Sequence, residues 1–177
     1  MDSTLSLGIF GSAIVALGAF WPVKTIKHPV LSIKNWLFAL GGAILFAFAL
    51  LDYLFSNGSI FFVILEMLVI ISSVLMMLNT KDEIDIWVIS ISGIALVIWS
   101  LFLFEGYSTI FFILGLVGIG LGYALDTGTL KRNIVLTAGS LLIAVFSYLG
   151  ESWIFFWLNT FFAIFSMYHS VLLIKKR

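Results

Sequence analysis

Cysteine is absent from the 177 residues, and proline occurs only twice. Without cysteine there are no disulfides, no thiolate metal sites and no thiol catalysis. Charge is scarce as well: 10% of residues, nine basic and nine acidic, with a formal net charge of zero. A soluble domain is about a quarter charged, and a balanced charge gives a nucleic-acid partner no support. No His/Asp/Glu grouping has metal-ligand spacing. No phosphate-cradling Gly-Lys loop is present. The acids lie mostly at the ends of apolar runs, where no Ser/His/acid arrangement forms. Neither an enzyme nor a cofactor is expected.

What remains is apolar: 62% of the chain is hydrophobic and 16% aromatic. A bilayer core about 30 Å thick takes roughly 20 apolar residues per helix. Seven runs of that kind occur, at 4–23, 35–56, 59–79, 86–104, 108–126, 133–150 and 153–174. They use nearly the whole chain, so the lipid bilayer is the expected surrounding and no soluble domain is left over. The opening Met-Asp-Ser-Thr is acidic and polar, whereas a secretory signal opens with basic residues. The first run is therefore expected to stay as a permanent helix.

Seven crossings place every Lys and Arg on one side. Lys24, Lys27 and Lys34 follow the first run and Lys81 the third. Lys131 and Arg132 follow the fifth, and Lys175, Lys176 and Arg177 end the seventh. The other side carries Asp2, Asp52, Glu105 and Glu151. Basic residues are held on the cytoplasmic side during insertion. The expectation is an integral protein of the cytoplasmic or plasma membrane, with its N-terminus outside and its C-terminus inside.

The chain also repeats. A shift of 98 residues aligns Asn35 with Asn133, Gly41 with Gly139, Phe48 with Phe146 and Leu51 with Leu149. The following runs open alike, Ile60-Phe61-Phe62 and Ile154-Phe155-Phe156. The expected fold is all-α and membrane-integral, two parallel three-helix repeats joined by a linker helix (3+1+3). Residues 1–79 form the first repeat, 80–107 the linker helix and 108–177 the second repeat. Parallel repeats are one of the arrangements of transporters, with the substrate path at the repeat interface. Gly8, Gly11 and Gly18 in the first run, and Gly115, Gly118, Gly120 and Gly122 in the fifth, suit close helix approach. Such faces pack within the chain or between copies, so a homo-oligomer stays open.

Pro22 sits at the basic end of the first run, in Phe20-Trp21-Pro22-Val23-Lys24-Thr25-Ile26-Lys27. Proline there frees carbonyls one turn earlier and either kinks or ends the helix. This stretch, an apolar helix, an aromatic residue, proline and a basic loop, resembles the PQ-loop pattern. With the 3+1+3 plan, the chain resembles the SWEET and PQ-loop transporter superfamily, to which the PnuC-type vitamin carriers are related. Val23 stands where that pattern has Gln, and the second repeat has no proline. The resemblance implies a carrier or facilitator for a small polar solute such as a sugar, riboside or vitamin. It also implies that polar side chains of helices three and seven line a central pocket.

Glu66 is the one acid well inside a run, about 10 Å from the outer end of the third helix. A carboxyl at that depth is costly without a partner or water. Its readings are proton coupling, binding of a polar or cationic solute, or a helix–helix hydrogen bond. Asn159 lies at a similar depth in the seventh run and offers amide donors and an acceptor. The Ile-Phe-Phe alignment pairs Glu66 with Thr160, one residue further on. Trp157 either stacks on a solute ring or faces lipid. Ser72 and Ser166 pair in the repeat one or two turns deeper, and serine also satisfies itself on its own helix. The expected solute site is therefore Glu66, Asn159, Thr160, Trp157, Ser72 and Ser166. Tyr168 and His169, in the inner half of the seventh run, join Pro22 as the expected inner gate. The alternative function is a non-transporting scaffold or a subunit of a larger membrane complex, with its polar groups paired helix to helix.

Overall fold

The computed structural model describes residues 3–21, 29–78, 82–126 and 128–175. Seven α-helices account for most of them: α1 (Ser3–Phe20), α2 (Ile33–Phe55), α3 (Ile60–Leu78), α4 (Asp82–Phe102), α5 (Tyr107–Ala124), α6 (Leu130–Leu149) and α7 (Trp153–Lys175). A 3-10 turn at Pro29–Leu31 precedes α2, and no strand occurs among the described residues. Helices α2 to α7 are long and apolar enough to cross a membrane, and α1 is a shorter apolar helix. In lipid every backbone group must be satisfied internally, which such helices achieve. The architecture is all-α and multi-pass.

The helix ends differ from the apolar runs by a few residues because polar groups set them. Ser32 caps α2 by accepting from the Asn35 N–H, and Thr129 caps α6 by accepting from the Arg132 N–H. Both helices therefore start before their apolar runs. Helix α4 takes in Asp82, Glu83 and Asp85 ahead of its apolar stretch.

The chain divides into two compact units, Met1–Asp85 and Ile86–Arg177. In the first, α2 packs against both α1 and α3. Glycine sets the α1–α2 approach. A Cβ on Gly41 would lie 2.6 Å from Val15 Cγ2, and one on Gly11 would lie 2.9 Å from Ile44 Cγ2 and 3.0 Å from Leu45. Gly18 faces Leu37 and Phe38, while Gly42 turns to Val69 and Ile70 of α3. At the α2 start, Asn35 Nδ2 donates to the Met76 carbonyl at 3.3 Å, tying α2 to the end of α3. Lys34 Nζ donates to the Trp21 carbonyl at 3.1 Å, just past α1.

In the second unit α6 packs against both α5 and α7. The contacts repeat those of the first unit. Gly115 meets Ile143, Gly139 meets Ile119, and Gly122 meets Leu136. A shift of 104 residues carries Gly11, Val15 and Gly18 onto Gly115, Ile119 and Gly122, and a shift of 98 carries Phe38, Gly41 and Leu45 onto Leu136, Gly139 and Ile143. Every buried residue of α2 (Phe38, Gly41, Gly42, Leu45, Phe48 and Ala49) lands on a buried residue of α6 at that shift. The internal repeat is thus a repeat of contacts, not of composition alone. Among its described side chains, helix α4 buries a narrow stripe of Ile89, Leu96 and Ser100.

Candidate functional site

In a helix that is apolar all round, a polar side chain has few ways to satisfy itself. The commonest is the carbonyl one turn back. Several polar residues inside these helices take it. The Ser73 hydroxyl donates to Val69 at 2.7 Å, Ser100 to Leu96 at 2.8 Å, Ser147 to Ile143 at 2.8 Å and Ser170 to Ser166 at 3.0 Å. The exceptions identify groups the fold leaves unsatisfied.

Glu66 is the largest exception. It is 2% exposed on α3, and its Oε2 finds no hydrogen-bond partner among the described residues. One turn to either side on its own helix stand Phe62, Val63, Val69 and Ile70, all apolar. Ser72 is fully buried on the same helix, and its Oγ is likewise without a partner among the described residues. It lies about 9 Å further along the helix axis and about 120° around it. The first unit thus encloses two unpaired oxygen atoms on one helix.

On α7 of the second unit, Asn159 and Ser166 are both buried and seven residues apart, which places them on one face two turns apart. Asn159 Nδ2 donates to the Phe155 carbonyl at 2.9 Å. Thr160 is half-buried, and its hydroxyl donates to Phe156 at 2.8 Å. Ser72 and Ser166 occupy the same repeat position at a shift of 94, and both are buried.

The remaining expected residues stand apart from that buried face. Trp157 is 53% exposed. Its ring lies 5.0 Å from Phe156 and 6.0 Å from Phe161, part of an aromatic run down α7. Two residues from Asn159, it projects to the far side of the helix. Tyr168 is exposed and sits edge-on to the half-buried His169 at 5.7 Å. Pro22 lies outside the described residues.

Three features were not singled out from the sequence. Ser12 and Ser140 hold buried hydroxyl oxygens without partners among the described residues. Ser140 occupies the repeat position of Gly42, so the Gly139-Ser140 pair was its signal. Arg132 is 8% exposed, with its guanidinium 5.9 Å from the Tyr123 ring centre. Its repeat counterpart is Lys34, which lies 5.9 Å over Phe38. Among the described residues no three His, Asp or Glu side chains group as metal ligands would.

The chain matches no family model, no curated protein and no solved structure. The chemistry of the buried groups and the repeated contacts therefore carry the functional argument.

Proposed function

We propose that the chain is a multi-pass carrier or facilitator for a small polar solute. The observation that carries this reading is Glu66: an enclosed carboxyl in a membrane-crossing helix, with one oxygen left unpaired. An ionisable residue at such a place is expensive, and solute or proton pathways are its usual reason. The repeated three-helix contacts support the same reading, because carriers are commonly built from two repeats that move against each other. Glu66, Ser72, Asn159, Thr160 and Ser166 are the proposed solute-binding groups, with Trp157 at their margin. Pro22, Tyr168 and His169 form the proposed inner gate. The basic ends face the cytoplasm in this account, with the N-terminus outside. The resemblance to SWEET and PQ-loop carriers points the same way. Proton linkage through Glu66 belongs to the proposal, and flux indifferent to an imposed proton gradient would remove it.

The test is uptake into proteoliposomes from a panel of sugars, ribosides, vitamins and amines. Glu66→Gln and Asn159→Ala are each expected to lower the flux that the wild-type protein supports. Unchanged flux in both variants would rule out the proposed site.

One observation favours the second reading, a non-transporting scaffold or complex subunit. Asn159 and Thr160 both bond their own helix, as side chains with only a packing role do. Co-purification of a stable partner with no solute flux would select it.

A further inference from the structure

Several hydroxyls inside these helices spend their protons on their own backbone, whereas Ser12, Ser72 and Ser140 keep theirs among the described residues. The hydroxyls of Ser73, Ser100, Thr137, Ser147, Thr160 and Ser170 each give their proton to the carbonyl four residues back. Asn159 gives one of its two amide hydrogens in the same way. What each keeps for a solute is mainly oxygen lone pairs. Glu66 adds a carboxyl, and its Oε2 is an enclosed oxygen with no partner among the described residues.

Lys and Arg are also missing from the apolar lengths of these helices. The sequence has no Lys or Arg in 35–80, 82–130 or 133–174. Lys34 and Arg132 stand in the first turn of their helices, beside Phe38 and Tyr123. An anionic solute would find no Lys or Arg in those stretches to pair with. A bare divalent cation needs several oxygen ligands at once, and no such acidic or histidine cluster exists among the described residues. A solute that brings both positive charge and several N–H donors is complementary to what is left.

We propose that the solute of this carrier is a small organic cation rich in N–H donors, a primary amine or a guanidine, and that the Glu66 carboxylate receives its charged group. The proposal rests on the carrier reading and names its substrate class. Recognition is a charge-assisted hydrogen bond in a site shielded from water, the strongest kind a single side chain makes. Discrimination against anions follows from the absence of Lys and Arg in those stretches.

The experiment compares three labelled probes of similar size in proteoliposomes: agmatine, xylitol and xylonate. Agmatine is expected to enter well above protein-free vesicles, faster under an inside-negative potential, while xylonate stays at background. Glu66→Gln should lower agmatine uptake by about tenfold or more, the loss that goes with one charge-assisted hydrogen bond. Glu66→Asp should restore part of it. Flux of xylitol or xylonate without agmatine overturns the substrate class and leaves the carrier reading standing. No flux of any probe, across this and the wider panel, overturns both. Full agmatine flux in Glu66→Gln removes Glu66 from the assignment. The wild-type selectivity decides the substrate class even where a variant fails to fold.

Discussion

Gly118 and Gly139 bring the backbones of α5 and α6 into direct contact. A Cβ on Gly118 would lie 2.8 Å from the Cα of Gly139, and one on Gly139 would lie 2.8 Å from the Ile119 nitrogen. Lipid gives no hydrophobic drive for helix association, so close packing of this kind has to hold the unit together. Backbone atoms cannot swing aside as a side chain can. Gly139→Ala is expected to destabilise by about 1–3 kcal/mol, as overpacking does. Gly41→Ala, at the same repeat position against Val15, should act in the same direction. Gly93 in α4 has nothing within 4 Å of its would-be Cβ. Gly93→Ala should therefore stabilise by about 0.5–1 kcal/mol through helix propensity alone. Thermal unfolding of the three variants in one detergent checks the order.

The turn between α6 and α7 holds a residue in a conformation it does not favour. Glu151 has φ 53°. The Ser152 N–H donates to Ser147 at 2.8 Å and the Glu151 N–H to Tyr148 at 3.1 Å, the paired bonds of a left-handed helix stop. Glycine takes that conformation without the Cβ clash, which costs other residues about 1–2 kcal/mol. Glu151→Gly should raise the thermal midpoint. Asn57, with φ 56° in the α2–α3 turn, tolerates the region better, so Asn57→Gly should gain less.

Arg132 is held by the fold more firmly than a terminal cation usually is. Its guanidinium over the Tyr123 ring joins the start of α6 to the end of α5. A cation over an aromatic face contributes about 0.5–2 kcal/mol, more as water is excluded. Tyr123→Leu is expected to lower stability by an amount in that range. Tyr123→Phe keeps the ring and should cost less. Equal losses from the two substitutions, read by thermal denaturation, would place the effect in the hydroxyl instead.

The proposed orientation is open to chemical labelling, because the chain has no cysteine of its own. Single cysteines at Asn57 and Glu151 should react with a membrane-impermeant maleimide on intact cells. Cysteines at Lys131 and Lys175 should react only after lysis. Reaction of one member from each pair on intact cells would break the seven-crossing count.

The sequence was most informative about helices and least informative about contacts. Runs of about 20 apolar residues made the seven helices legible, and α1 to α7 lie close to those runs. Their ends shifted where Ser32 and Thr129 reach forward to cap, a local hydrogen bond that hydropathy does not register. Glu66 was legible as a buried acid because nothing else in α3 is charged. The repeat plan pairs α1 with α5, but their residue register is hard to see in the sequence, since its shift of 104 differs from the 98 that joins α2 to α6. Only contacts such as Gly11 with Leu45 and Gly115 with Ile143 bring it out. Ser12 and Ser140 were passed over because serine usually bonds its own helix, and these two do not. The exposed face of Trp157 was equally hard to choose, because an apolar helix gives no polar side to orient it.

Solute entry into sealed proteoliposomes, wild type against Glu66→Gln at matched protein density, tests the central claim most directly. The account predicts saturable uptake of at least one small polar solute by the wild-type protein. It predicts a loss of about tenfold or more in the variant, with the variant still eluting as a folded species. Uptake in a well-folded Glu66→Gln protein equal to wild type, or none in either across the whole panel, would contradict it.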